Sequence, residues 1–234
     1  MLVSHRFKFI FVKTTKTAGT SIESYFERFC MRPGEWSLSG PRQEYVSETG
    51  VIGQRGAGQS ASCRFWNHMS ADAIRSALGD EVWNGYFKFC SVRNPYEKVV
   101  SMYCMLRYGA GERWDKPFDL PLERERFAQW LLESPQLPLD RDKYTVDGKF
   151  CMNDVIRYEQ LHADIERICG VLEVPWDSSL LPAFKTGYRP PEARTTNMYT
   201  SRARQCVAAQ FADELELFGY EFPSGDGVCD TRPA

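Results

Sequence analysis

The chain has 234 residues, of which 43% are hydrophobic and 14% aromatic, so it is long enough to bury a substantial core. We predict a single domain over residues 1–234. The formal net charge of -2, from 29 Lys and Arg against 31 Asp and Glu, excludes the overall basic field that favours nucleic acid or an anionic membrane surface. Any anion that the protein binds must therefore be held by a local group of residues.

Cysteine spacing and hydropathy exclude further classes of protein. The eight cysteines are scattered without a Cys-x-x-Cys pair, which fits neither a zinc site nor a dense disulfide framework. We expect buried, reduced thiols. The longest apolar run near the start of the chain, Phe9 to Val12, is too short for a secretion signal or a membrane-spanning helix. We therefore expect a cytoplasmic protein without stable membrane insertion.

The chain opens with a predicted strand, a tight loop and a helix. Phe7 to Val12 is a short aromatic and β-branched run, which is typical of a buried strand. Residues 20–23 have the Thr-x-x-Glu form of a capping box, and apolar residues recur after them at helical spacing. From about Met31 to Cys63 the periodicity weakens, and we predict a loop-rich excursion over residues 31–66, a length that is often functional.

A second strand-to-helix junction lies near the middle of the chain. Tyr86 to Val92 predicts another buried strand. In the next segment Asn94 is suited to cap a helix, Pro95 suits its first position, and Glu97 lies three residues after the cap. This junction is strongly specified by local sequence.

The other periodic segments complete an alternation of strands and helices. They predict a helix from Ser70 to Leu78 ended by Gly79, a helix from Arg124 to Glu133, a strand from Asp154 to Tyr158, a helix through Leu161 and Leu172, and a final helix from Ser201 to Phe218 ended by Gly219. Such alternation predicts an α/β fold in three layers, with a central parallel sheet flanked by helices.

The first loop carries an anion-binding pattern, Lys16-Thr17-Ala18-Gly19-Thr20-Ser21. Backbone N–H groups and the positive end of a helix dipole favour an anion between a strand and a helix. The three hydroxyls add donors, Gly19 allows close approach of the backbone, and Lys16 supplies a mobile positive charge. On this loop alone, a phosphate site and a capped helix with a solvated lysine are about equally favoured.

The loop is not a Walker A motif, because Lys16 precedes Gly19 instead of following the glycines. The order Lys-Thr-x-Gly-Thr-Ser resembles the 5′-phosphosulfate loop of sulfotransferases that use 3′-phosphoadenosine 5′-phosphosulfate (PAPS), in which proline usually stands at the position of Thr15. The resemblance implies a P-loop NTPase-like fold and a catalytic role for Lys16. It also implies that the donor is bound by Lys16, Thr17, Ala18, Gly19, Thr20 and Ser21.

The segment from Ser91 to Tyr103 is similar to the 3′-phosphate motif of the same family, a strand, Val-Arg-Asn-Pro and a helix that carries serine. Arg93 offers a fork suited to a phosphate, and Ser101 a hydroxyl. Without the resemblance, a surface ion pair for Arg93 and a neutral helix position for Ser101 would be favoured. Two motifs of one family in the right order favour the phosphate site.

Residues 67–71, 86–89, 155–161 and 218–222 resemble recurring segments of the Golgi-type and bacterial branches of this family. In the uronyl 2-O-sulfotransferase-like branch a histidine lies a comparable distance before Val-Arg-Asn-Pro, which implies that His68 is the general base. We expect His68 to titrate near the ordinary imidazole pKa of about 6.5. Glu23, a carboxylate from the 31–66 excursion, and a merely loop-ordering His68 stay open as alternatives.

The resemblance implies transfer of a sulfuryl group from PAPS to a hydroxyl or amine of a carbohydrate or small-metabolite acceptor, by in-line displacement. The product would be adenosine 3′,5′-bisphosphate (PAP), no metal would be needed, and residues 31–66 would form a lid on the acceptor side. The alternatives are a P-loop small-molecule kinase and a non-catalytic phosphonucleotide-binding protein. A charged segment before the last helix is a candidate nucleotide clamp, although such loops are more often only solvated; it contains Lys185, Tyr188, Arg189 and Arg194. The sequence leaves the acceptor and the oligomeric state open.

Overall fold

The computed structural model describes residues 1–56, 63–111, 118–133 and 137–224. The chain falls into two compact units. The first consists of Met1–Val92 and Asp140–Phe184, and the second of Arg93–Leu139 and Lys185–Ala234. The single domain expected from length stays a prediction.

The first unit is built on a six-stranded sheet. In spatial order its strands are β3 (Tyr45–Ser47), β4 (Gly50–Ile52), β1 (Leu2–Ser4), β2 (Phe9–Val12), β5 (Phe87–Val92) and β8 (Asp154–Arg157). The pairs β2–β5 and β5–β8 are parallel, with Phe9 opposite Phe87 and Val12 opposite Cys90 in the first of them. The pairs β1–β2, β1–β4 and β3–β4 are antiparallel.

The α/β class is confirmed, but the prediction of a parallel sheet is wrong for three of its five strand pairs. Residues 5–8 connect β1 to β2, and residues 48–49 connect β3 to β4. Connections this short can join only antiparallel neighbours, since a parallel pair needs a crossover of about a dozen residues or more. The 31–66 excursion therefore contains two sheet strands instead of loop alone, and its residues 57–62 lie outside the described part of the chain.

Helices and a small hairpin complete the first unit. They are α1 (Gly19–Phe26), α2 (Ala71–Leu78), α3 (Asp80–Gly85), α6 (Arg141–Tyr144), the hairpin β6 (Thr145–Val146) and β7 (Lys149–Phe150), and α7 (Leu161–Val171). Aromatic rings form the centre of the core, where the ring of Phe26 lies 5.8 Å from that of Phe9 and 5.2 Å from that of Phe89. Because all three are fully buried, the core fixes α1 against β2 and β5.

The described part of the second unit is helical. Its helices are α4 (Pro95–Gly109), α5 (Leu120–Glu133), α8 (Thr195–Met198), α9 (Ser201–Gln210) and α10 (Ala212–Phe218). They share a core in which the rings of Phe127 and Tyr199 pack edge to face 4.9 Å apart. The single final helix expected from the sequence is divided at Phe211 into α9 and α10.

Local capping signals predicted two helix starts correctly. Ser70 accepts a hydrogen bond from the backbone N–H of Ala73 at the start of α2, and Asn94 accepts one from Tyr96 at the start of α4. Gly219 ends α10 in the left-handed conformation, at φ 66°.

The described cysteines are free thiols. Four of them are buried, namely Cys30, Cys90, Cys104 and Cys169, whereas three are half-buried. Cys229 lies outside the described residues. Among the helices of the described ranges, none has the length and apolarity needed to cross a membrane.

Candidate functional site

The loop between β2 and α1 has an unusual backbone. Lys16 and Ala18 both adopt the left-handed conformation, at φ 62° and 61°, which costs free energy for residues other than glycine. Ala18 is the N-cap residue of α1 and provides no side-chain cap, so the predicted Thr20–Glu23 capping box is wrong. The N–H group of Ser21 donates to the carbonyl oxygen of Ala18 at 2.9 Å. The N–H groups of Gly19 and Thr20 precede the first intrahelical hydrogen bond, and they point with the helix dipole towards the loop.

Buried hydroxyls connect this loop to the end of β5. The Thr17 hydroxyl lies 2.8 Å from the Ser91 hydroxyl and 2.8 Å from the Thr14 hydroxyl. Thr14 also donates to the backbone carbonyl of Ser91. Because the Thr17 side chain is engaged inside the protein, its backbone N–H is the group that suits an anion.

Asp140 holds the loop from the other side. One of its carboxylate oxygens accepts from the backbone N–H of Thr15 and the other from the Thr15 hydroxyl, both at 2.9 Å. Asp140 is buried, and hydrogen bonds to a carboxylate are about twice as strong as neutral ones. Proline has neither an N–H nor a hydroxyl, so Thr15 makes two contacts that a proline at this position could not make.

Gly19 is required by the close passage of a lysine. A Cβ atom at Gly19 would lie 2.8 Å from Cγ of Lys13 and 3.3 Å from the carbonyl oxygen of Thr14. The Lys13 side chain, only 3% exposed, runs past this point and donates to Glu23 at 2.7 Å. Ser21 accepts from the backbone N–H of Phe184 at 3.2 Å.

Glu23 belongs to a buried ionic cluster next to the loop. Its carboxylate lies 2.6 Å from the amino group of Met1, 2.7 Å from Lys13 Nζ and 3.5 Å from Arg55 Nη1. Arg55 also pairs with Glu27, which accepts from Arg42 Nε at 2.8 Å. Of these cations, Lys13 is the one whose side chain passes the N-terminus of α1, beside Gly19.

This cluster disfavours Glu23 as the general base. Burial by itself would raise the pKa of the Glu23 carboxyl, but the charges of Lys13, the Met1 amino group and Arg55 lower it well below its ordinary value. A carboxylate stabilised in this way is a weak proton acceptor.

His68 lies in the same unit, directly before α2, and its backbone is left-handed at φ 57°. Its Nδ1 atom is buried and has no hydrogen-bond partner among the described residues. Burial and then the charge of Lys13 lower the pKa of His68 to about 4, against the opposing charges of Asp140 and Glu23. The expected pKa of about 6.5 is therefore corrected. The imidazole is neutral at pH 7 but is a weaker base than the sequence indicated.

The second unit carries the other predicted residues, at and just before α4. Arg93 directly follows β5 and is 9% exposed, and its Nη2 atom lies 3.5 Å from Oε2 of Glu97. Ser101 is half-buried and lies four residues after Glu97, so both residues lie on the same face of α4. Glu97 and Ser101 therefore lie along one side of α4, and Arg93, two residues before the helix, contacts Glu97 on that side.

Sequence reasoning missed the groups that surround Glu97. Arg189 Nη1 donates to Glu97 Oε2 at 2.5 Å, and the Thr195 hydroxyl donates to Oε1. Burial would raise the pKa of Glu97, yet Arg189, Arg93 and the Thr195 hydrogen bond lower it. The charged segment around residue 189 was the sequence signal, but nothing local pointed to its partner 92 residues earlier.

The predicted residues thus form two groups. Residues 16–21 make one loop, with His68 within electrostatic range of its neighbours Lys13 and Asp140. Arg93 and Ser101 lie in the second unit. Within the described ranges, no three His, Cys, Asp or Glu side chains are grouped as metal ligands, and the expectation of a metal-free reaction stays a prediction.

Two comparisons relate the chain to known proteins. An uncharacterized protein from Archaeoglobus fulgidus is 30% identical over 107 residues, which is 46% of this chain and 84% of the archaeal protein. The sequence model of the sulfotransferase family matches residues 1–221. With nearly its whole length matched, the chain belongs to the sulfotransferase family.

Proposed function

We propose that the protein transfers a sulfuryl group from PAPS to a hydroxyl or amine of a carbohydrate or small-metabolite acceptor, through an in-line displacement on a P-loop NTPase-like fold. The observation that carries the proposal is the loop of residues 15–21. Its left-handed residues Lys16 and Ala18 precede a helix start, and the buried Lys13 side chain passes beside it. This arrangement suits a phosphosulfate group better than a neutral ligand.

The loop would bind the 5′ end of the donor. The N–H groups from Thr17 to Thr20 and the Ser21 hydroxyl bind the oxygens of the phosphosulfate, and Gly19 leaves room for the Lys13 chain that the loop encloses. Lys16 contacts the oxygen that bridges sulfur and phosphorus. As the S–O bond breaks, negative charge grows on this oxygen, so the lysine acts mainly in the transition state.

Arg93 and Ser101 would bind the 3′-phosphate of the donor. A guanidinium fork and a hydroxyl are suited to a phosphate dianion. This contact would distinguish PAPS and PAP from ATP and AMP, which have no 3′-phosphate.

His68 would accept the proton of the attacking hydroxyl or amine. Its low pKa keeps the imidazole neutral at pH 7, as a proton acceptor must be. The proton moves to His68 as the new bond to sulfur forms, PAP leaves, and His68 releases the proton to solvent. We propose the 31–66 segment as the acceptor-side lid, a reaction without metal, and a cytoplasmic location.

A thermal-shift panel tests the function. PAP should raise the melting temperature of the protein strongly, while ATP with magnesium and AMP at equal concentration should have little effect. Selective stabilisation by ATP with magnesium would instead indicate a kinase and contradict the proposal. An acceptor screen with mass-resolved PAPS then tests catalysis, and donor binding without transfer to any sugar, alcohol or amine would favour a non-catalytic binding protein.

A further inference from the structure

Glu97 is placed where it would neutralise the proposed phosphate-binding arginine. It follows Arg93 by four residues, the spacing at which oppositely charged side chains pair along a helix. A carboxylate paired with Arg93 would compete with a phosphate for the same guanidinium. A donor site that depends on Arg93 therefore needs a way to weaken this pair.

The contacts of Glu97 are unequal. Arg189 Nη1 donates to Oε2 at 2.5 Å, whereas the Arg93 contact to the same oxygen is 3.5 Å long. The Thr195 hydroxyl donates to the other oxygen, Oε1. Glu97 therefore binds Arg189 and Thr195 more closely than it binds Arg93.

Further hydrogen bonds hold the Arg189 guanidinium in place beside Glu97. Its Nε atom donates to the carbonyl oxygen of Ala193 at 2.7 Å, and its Nη2 atom donates to the Thr195 hydroxyl at 3.1 Å. Three different nitrogens of one guanidinium thus have protein partners. With two arginines and one carboxylate, the group carries a net charge of about +1, which favours an incoming anion.

We propose that Arg189 is a positioning residue that binds Glu97 and thereby keeps the charge of Arg93 for the 3′-phosphate of the donor. The proposal rests on the proposed function, which gives Arg93 that ligand. It assigns Arg189 to Glu97 instead of the nucleotide, since each of its three nitrogens donates to a protein acceptor, on Glu97, Ala193 and Thr195. A direct phosphate ligand and a partner of Glu97 make opposite predictions in a double variant.

Calorimetric titration with PAP and with AMP separates the two roles. Arg189→Ala should weaken PAP binding about tenfold or more, the effect of losing one charge-assisted contact, because Glu97 then pairs with Arg93. AMP binding should not change. Glu97→Gln alone should bind PAP at least as tightly as wild type, and adding Glu97→Gln to Arg189→Ala should restore the affinity to within about threefold of the Glu97→Gln variant.

Several outcomes would overturn the proposal. A double variant as weak as Arg189→Ala would make Arg189 a direct ligand or a merely structural residue, and an unchanged Arg189→Ala would remove it from donor binding. If wild type binds PAP and AMP equally, the proposed function fails together with this inference. If wild type prefers PAP but Glu97→Gln gives no rescue, the inference alone fails.

A matched control variant tests whether the effect is specific to Arg189, and a milder variant serves if Arg189→Ala does not fold. Glu123 is likewise shared by two arginines and a hydroxyl, those of Arg107, Arg126 and Tyr103. Arg126→Ala should therefore leave PAP affinity unchanged. If Arg189→Ala does not fold, Thr195→Val removes the hydroxyl that donates to Glu97 and accepts from Arg189 Nη2, with little change of shape. Its smaller loss of PAP affinity should also be rescued by Glu97→Gln, and a loss that persists would refute the proposal.

Discussion

Replacement of His68 by Asn tests the buried imidazole without any ligand. Asparagine keeps a polar side chain and tolerates the left-handed backbone at φ 57° better than most residues. The folded protein holds the pKa of His68 at about 4, whereas an unfolded chain has the ordinary value of about 6.5. The unfolded state therefore binds more protons between these two pH values.

The sign and size of the effect follow from proton linkage. A lowered folded pKa gives stability that is complete above pH 6.5 and is lost as the pH falls towards 4. At pH 5, about 1.5 units below the unfolded pKa, the loss reaches about 2 kcal/mol at 1.36 kcal/mol per unit. Other groups also titrate in this range, so the informative quantity is the difference between wild type and the variant.

Urea unfolding at pH 7 and pH 5 measures this difference. Between the two pH values, the free energy of unfolding of wild type should fall by about 2 kcal/mol more than that of His68→Asn. His162→Asn, which changes an exposed histidine of α7, should behave like wild type. Equal losses in wild type and His68→Asn would mean that the imidazole is not held neutral by burial.

Three further substitutions probe the loop and the chemistry. Lys16→Ala should lower the single-turnover rate by about 10² to 10³ with an unchanged melting temperature, because it acts on the leaving oxygen; a wild-type rate would remove it from the mechanism. Gly19→Ala should cost about 1–3 kcal/mol in urea unfolding, since its Cβ would lie 2.8 Å from Lys13 Cγ, and an unchanged stability would contradict that packing. His68→Ala should lower the rate by about 10² to 10⁴ without loss of PAP affinity, while the wild-type rate stays flat from about pH 6 to pH 8; similar rates in both proteins would assign the base to a carboxylate or to solvent.

The sequence predicted the elements whose signals are local. Ser70 and Asn94 cap their helices as expected, because an N-cap contact involves only the next two or three residues. The parallel strands β2 and β5 were also predicted, since both are buried apolar runs. The strands β1, β3 and β4 have three residues each, too few to establish a period of two.

The sequence did not predict contacts between residues that are distant along the chain. Glu23 fits a capping box locally, but the buried cations Lys13 and Arg55 bind it in the folded chain. Asp140 holds Thr15 across 125 residues, and Arg189 reaches Glu97 across 92. The pKa of His68 depends on burial, which no spacing of residues around it reveals. The loop and Arg93 are therefore predicted from local motifs, while the residues that contact them are apparent only in the tertiary structure.

A calorimetric titration of wild type, Arg93→Ala and Ser101→Ala with PAP and with AMP tests the proposed donor most directly. Wild type should bind PAP much more tightly than AMP. Both substitutions should weaken PAP binding and leave AMP binding nearly unchanged, because only PAP has the 3′-phosphate that Arg93 and Ser101 are proposed to bind. Equal affinity of wild type for the two nucleotides, or equal losses for both in the variants, would contradict a PAPS-dependent sulfotransferase.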